Sequence, residues 1–293
     1  NKGANYYFTK ALIQNYCYDI KGDLNMLEEA IDNFKLTNIQ VDFDEFIEIN
    51  LMNYVYQYAL IIASHDRKGA KQDKINESIK LIESFKKFEN KEGQLDYYKA
   101  IIYSTHSQFE KAIIELKKYL NFTENDHEET YYLLGINNMN LNNYEEAIKH
   151  FSDAITLNKT NPLYYFERGR CYMGIENYNQ SIGDFMSSLE FDDGKTESTY
   201  YNISSSYVEL NNYEEALKFV STGIELYPQS DELFNKRSQI YSKLKYFDKQ
   251  IADLKMAINL DPDYAYYYHA LGDIYNITFA DFENAKTYYD KAI

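Results

Sequence analysis

The chain has 293 residues, a formal charge of −16 and only two cysteines, Cys17 and Cys171. That length is large for one compact globule. The acidic balance argues against nucleic acid, whose phosphates call for clustered Lys and Arg, and against an anionic membrane surface; two cysteines make no disulfide framework and fit a reducing compartment.

Taken in chain order, the first segments predict helical hairpins at 3–36 and 45–88. The second carries a long polar loop, "SHDRKGAKQD", at 64–73. The longest apolar stretch, 51–64, is broken by Asn53 and Gln57, so neither a membrane span nor a signal peptide is expected from the sequence. A clearer hairpin follows at 97–120, with Ala100, Tyr103, Phe109, Ala112 and Leu116 at helical spacing.

The stretch 131–157 shows the design in full. Tyr131, Leu134, Gly135 and Asn138 share one face of a helix. "NLNN" then breaks it, because Asn competes for backbone hydrogen bonds and favours turns. Glu145 and Glu146 suit the positive start of a second helix. Ala147, Phe151 and Ala154 form the buried face of that helix, and Tyr144 adds bulk at the turn.

The heptapeptide "LNNYEEA" stands at 141–147 and again at 210–216, with a degraded copy, "IENYNQS", at 175–181; the intervals are 34 and 35 residues. A period of this size marks a repeat array, in which each unit packs on its neighbours. The helix–turn–helix pattern recurs through Tyr165, Gly169, Tyr172 and Phe185. It continues through Tyr200, Ser204, Tyr207 and Val220, then Phe234, Ser238, Tyr241 and Leu254. The last copy is Tyr268, Gly272, Tyr275 and Tyr289, with one residue inserted in its turn.

These motifs resemble the tetratricopeptide repeat. The resemblance implies an all-α fold, a right-handed α-solenoid (superhelix) of about eight antiparallel helix pairs. Residues 1–92 are read as divergent hairpins. Residues 93–293 are read as six units: 93–127, 128–161, 162–196, 197–230, 231–264 and 265–293. The chain starts without Met and stops mid-pattern at "TYYDKAI", which reads as a piece of something longer.

Two units depart from the pattern. Arg168 and Arg237 replace the apolar residue before the small one, and each precedes an aspartate, Asp184 or Asp253, by sixteen residues. That spacing predicts a bidentate, partly buried ion pair between the two helices of one unit.

No phosphate loop, dinucleotide fingerprint, nucleophile elbow or zinc-protease motif occurs. The histidines at 65, 106, 127, 150 and 269 lack ligand spacing, so neither metal nor cofactor is expected. Cys171 reads as a small packed residue despite its neighbour Arg170. An enzyme is therefore not expected.

With the small residue numbered position 8, positions 5, 9 and 12 of the first helix share a second face. The resemblance places that face on the concave surface that takes a partner's peptide or helix. The residues there and at flanking positions are Tyr97, Ile101, Tyr132, Ile136, Met139, Phe166, Arg170, Met173 and Tyr201, then the polar Asn202, Ser205, Asn235, Lys236, Gln239 and His269. Aromatic anchors beside Met suit a binding surface, although the same rings also suit packing between repeats. Arg170 and Lys236 are expected to meet acidic groups of the ligand.

Some relatives of this type grip a chaperone's C-terminal carboxylate. That reading fails here, since Phe166 and Arg170 replace the first Lys–Asn pair and Glu232 stands where a Lys belongs. The expected role is a cytoplasmic interaction scaffold with another protein as partner. The alternative is a structural subunit of a ciliary, mitochondrial or ubiquitin-ligase assembly.

Overall fold

The computed structural model describes residues 72–84, 93–122, 128–191 and 194–293. The expected hairpin at 3–36 and the start of the one at 45–88 lie outside these residues. Two compact units are present, Asn1–Leu141 and Asn142–Ile293. The described residues are all-α, with helices in adjacent pairs and no strand among them.

The first unit contains α1 (Gln72–Ser84), α2 (Gln94–Thr105), α3 (Phe109–Phe122) and α4 (Glu128–Asn140), each packed on the next. Ala100, Leu116 and Leu134 form one buried cluster among its described residues. Lys99 bridges α2 to Glu83 on α1 at 2.5 Å.

The second unit contains α5 (Tyr144–Leu157), α6 (Pro162–Gly174), α7 (Tyr178–Leu189), α8 (Glu197–Glu209), α9 (Tyr213–Leu226), α10 (Asp231–Lys243), α11 (Phe247–Leu260), α12 (Ala265–Asp273) and α13 (Phe282–Lys291). Each packs on its successor, and the first helices of adjacent pairs also touch, α6 with α8 and α8 with α10. Ala216, Val220, Leu254, Ala257 and Leu271 are among the residues of one continuous core. A fully buried side chain such as Phe185 or Leu254 contributes roughly 1.5–3 kcal/mol relative to exposure.

The turn heptapeptide has a conformational reason. Its first Asn, Asn142 or Asn211, has φ near +59° or +57°. Asn tolerates that left-handed state better than most residues. Its side-chain oxygen accepts from the tyrosine two residues on, Tyr144 at 3.0 Å and Tyr213 at 2.8 Å. The corresponding residues elsewhere are Ser107, Glu176, Lys245 and Ala280, all left-handed. The N–H that follows closes back on the tyrosine carbonyl five residues earlier, at Tyr172, Tyr207 and Tyr241. This is the closure that satisfies carbonyls at a helix end.

The extra residue of the last unit is not in the turn, as the spacing suggested, but within the helix end. Ile274–Thr278 forms a π-helical turn directly after α12. A single inserted residue is commonly absorbed this way, and the left-handed turn is then made one residue later, at Ala280.

Helix pairs approach closely at the small residue. A Cβ on Gly169 would lie 2.9 Å from the Phe185 ring, and one on Gly272 would lie 2.5 Å from the Tyr289 ring. Units with Gly at this position carry an aromatic on the second helix, whereas Ser204, Ser238 and Ala100 are matched by Val220, Leu254 and Leu116. Small–large matching keeps the packing dense.

Candidate functional site

Both arginines of the departing units are held by carboxylates. Arg168 Nε and Nη2 donate to Asp184 Oδ2 and Oδ1 at 2.7 and 2.8 Å. Arg237 does the same to Asp253, at 2.8 and 2.8 Å. Each arginine also donates through Nη1 to a serine on the preceding unit's second helix, Ser152 at 2.9 Å or Ser221 at 3.3 Å. Sequence reasoning missed these serines, although each stands sixteen residues before its arginine. The arginine therefore ties two repeats together.

The expected binding stripe is mostly half-buried. In the first unit the Tyr97 ring lies 5.1 Å from that of Tyr119, packed beside the Ala100–Leu116–Leu134 cluster. Ile101, Tyr132, Ile136 and Met139 are half-buried too. In the second unit Phe166 sits 5.5 Å from Phe185, within its own helix pair. Met173, Tyr201, Asn202, Ser205, Asn235, Lys236 and Gln239 are half-buried, while Arg170 and His269 are exposed. Packing thus takes up part of the aromatic surface assigned to binding.

The two cations of the expected stripe are also engaged within the protein. Arg170 Nη1 bonds Glu167 Oε2 at 2.8 Å. Glu167 is buried, and that burial pushes its carboxyl above the usual range, against the pull of Arg170. Lys236 Nζ lies 4.4 Å from the centre of the Tyr201 ring, a cation–π contact. Burial lowers its ammonium below the usual lysine range. His269 Nδ1 stands 3.3 Å from Asp273 Oδ2. Burial pushes the Cys171 thiol up to about 12, so Arg170 does not activate it.

Glu167 yields a pH prediction. A carboxyl whose folded-state value is raised contributes stability that is present below its unfolded value and lost as pH rises through the folded one. Glu167→Gln removes that loss. Urea unfolding should therefore show the variant gaining stability on the wild type between pH 4 and pH 7. An unchanged difference would contradict the burial argument.

Three successive units enclose an open cleft of about 440 Å³, lined by Tyr201 of α8, by Asp231, Glu232 and Asn235 of α10, and by Asp261, Tyr264 and Tyr267 around the start of α12. Tyr267 donates to Asp231 Oδ2. This acidic and aromatic lining lacks the basic groups a carboxylate tail would need.

A tetratricopeptide repeat profile matches residues 128–161, and a second matches 197–230, 231–264 and 265–293. The chain carries tetratricopeptide repeats at 128–161 and 197–293. It is 32% identical over 111 residues to serine/threonine-protein phosphatase 5 of Homo sapiens, covering 37% of this chain and 22% of that one. Over 224 residues it is 23% identical to the DnaJ homolog subfamily C member 7 homolog of Dictyostelium discoideum, covering 65% and 41%. The Hsp70-Hsp90 organising protein of Plasmodium falciparum is 24% identical over 156 residues, covering 51% and 26%. The chain thus spans well under half the length of these relatives.

In fold, it is similar to the C-terminal part of a tetratricopeptide repeat protein from Cytophaga hutchinsonii, with a TM-score of 0.63, 14% identity, and coverage of 81% of this chain and 92% of that one. MamA of Desulfovibrio magneticus RS-1 follows at 0.52, with 18% identity and coverage of 58% and 95%. Tetratricopeptide arrays form protein–protein interaction scaffolds, and no helix among the described residues is long and apolar enough to cross a membrane.

Proposed function

We propose that this protein is a non-enzymatic scaffold that binds an extended peptide or helix of a partner protein along the first helices of its repeats. The observation that carries this reading is the face shared by α6, α8, α10 and α12. It keeps aromatic, Met and amide side chains only half covered and opens into a cleft bounded by three units. Groove recognition of this kind uses a few apolar anchors and a polar remainder. A reducing, cytoplasmic setting belongs to the same proposal, in keeping with two cysteines and the buried Cys171 thiol.

A second reading, a subunit of a larger assembly, draws on the other side of the repeats. Ile114, Leu157, Met186, Leu226 and Met256 are all exposed, and all lie on second helices. The test compares two variants of the chain in affinity capture from native lysate. Ser205→Arg/Gln239→Arg adds bulk to the first-helix face, and Leu157→Glu/Leu226→Glu alters the second-helix side. The proposal expects a partner lost with the first variant and kept with the second, both variants retaining wild-type helicity. A partner kept by the first and lost by the second would replace the proposal with the assembly reading.

A further inference from the structure

The cleft of α8, α10 and α12 has a chemistry of its own, and three features define what it can take. Its charged lining is all acidic: Asp231, Glu232 and Asp261. Asp231 and Glu232 lie in the first turn of α10, where the helix dipole alone would favour carboxylates. Asp261 lacks that dipole reason, although its carboxylate accepts the Asp263 N–H at 3.2 Å. It is the C-cap of α11, where the helix carbonyls disfavour negative charge.

The walls are aromatic. The rings of Tyr264 and Tyr267 meet edge to face at 4.8 Å, and Tyr201 is also part of the lining. Tyrosine faces attract cations, and Tyr201 already holds the ammonium of Lys236. Finally, Asn235 lines the cleft with a side-chain oxygen that is buried and has no donor. The volume, about 440 Å³, is at the small end of the roughly 300–1,000 Å³ typical of ligand sites.

We propose that this cleft binds an alkylammonium or guanidinium group, presented as a Lys or Arg side chain of the partner peptide. The inference rests on the groove reading above and sharpens it, because the partner segment must carry a basic residue facing α10. The carboxylates supply charge complementarity, and the exposed ring of Tyr264 supplies a face against which the alkyl stem and the cation pack, Tyr267 being buried behind it and Tyr201 already carrying Lys236.

The test needs no partner. The full chain is titrated with the acetylated, amidated peptide Gly-Ala-Xaa-Ala-Gly, where Xaa is Lys, Arg or norleucine. Binding is followed by amide chemical shifts around Asn235 and Tyr264. Spermidine forms a separate arm, for a free polyamine as the source of the cation.

The expected result is saturable shifts with the Lys and Arg peptides, weakened by added salt, and none with norleucine. Glu232→Gln/Asp261→Asn should weaken that binding at least about tenfold, as loss of close charge partners does. The fold should survive this change. The Asp263 N–H bonds the Asp261 carboxylate at 3.2 Å, and the amide oxygen introduced by Asp261→Asn can accept the same bond. Equal shifts with norleucine, or binding untouched by the double variant, overturn the proposal. Saturation by spermidine with silent peptides overturns the peptide source. A variant that loses the Lys peptide yet still captures the partner overturns the link to the groove while leaving the groove reading intact.

Discussion

Replacing Asp253 with alanine should cost about 3 kcal/mol, the loss typical of leaving one charge of a buried pair without its partner. Of its hydrogen bonds Arg237 would keep the 3.3 Å contact to Ser221, beside the rings of Phe234 and Tyr241. The Asp253 side chain is 7% exposed and that of Arg237 21%, so water cannot fully replace the lost carboxylate. An exposed pair would be worth under about 1 kcal/mol. The comparison that isolates the cause is Arg237→Met/Asp253→Leu. Removing both charges removes the desolvation cost with them, so the double variant should lie within about 1 kcal/mol of the wild type. Repeat arrays do not always unfold in one step. The appropriate readout is therefore hydrogen exchange of α10 and α11, with a thermal scan beside it. No change in exchange for Asp253→Ala would show that the bridge is a surface ornament.

The same pair shows how much the sequence discloses. Arg–Asp at sixteen residues is legible because helix pairs of fixed length bring those two positions face to face in every unit. Its serine partner was equally legible, since Ser152 and Ser221 repeat the same offset, but it belongs to the neighbouring unit. Intra-repeat spacing reads directly from a period; inter-repeat contacts require knowing how one unit leans on the next. That is also why the burial of the expected stripe was only partly legible. A stripe at positions 5, 9 and 12 tells which residues share a face, not how far Phe185 or Tyr119 covers it. The inserted residue of the last unit was visible as one extra step before Ala285. Whether it entered the turn or the helix end depended on backbone hydrogen bonds that no side-chain pattern records. The acidic cleft was invisible for a related reason: its lining comes from three units and from the non-helical Asp261 and Tyr264.

The small–large match between paired helices should be transferable from one repeat to another. Gly169→Ser alone places a Cβ within 2.9 Å of the Phe185 ring, which is 0% exposed and has no free side to move into. Overpacking of this kind costs about 1–3 kcal/mol. Phe185→Val alone leaves a cavity, and large-to-small core changes of this size cost roughly 2–4 kcal/mol. Together they recreate the Ser204–Val220 combination of the next unit. The added Cβ and hydroxyl then occupy space that the ring has vacated, and the hydroxyl can bond the carbonyl four residues back, as Ser204 does to Tyr200 at 2.7 Å. The double variant should therefore be less destabilised than the sum of the singles by more than about 1 kcal/mol, the coupling expected of residues in contact. Phe166, 5.5 Å from the Phe185 ring, would lose its aromatic neighbour, so recovery should fall short of the wild type. Urea unfolding of the four proteins measures the coupling. Strict additivity would mean that Gly169 and Phe185 do not share one packing site, and that the pairing of glycine with an aromatic along the repeats has another origin.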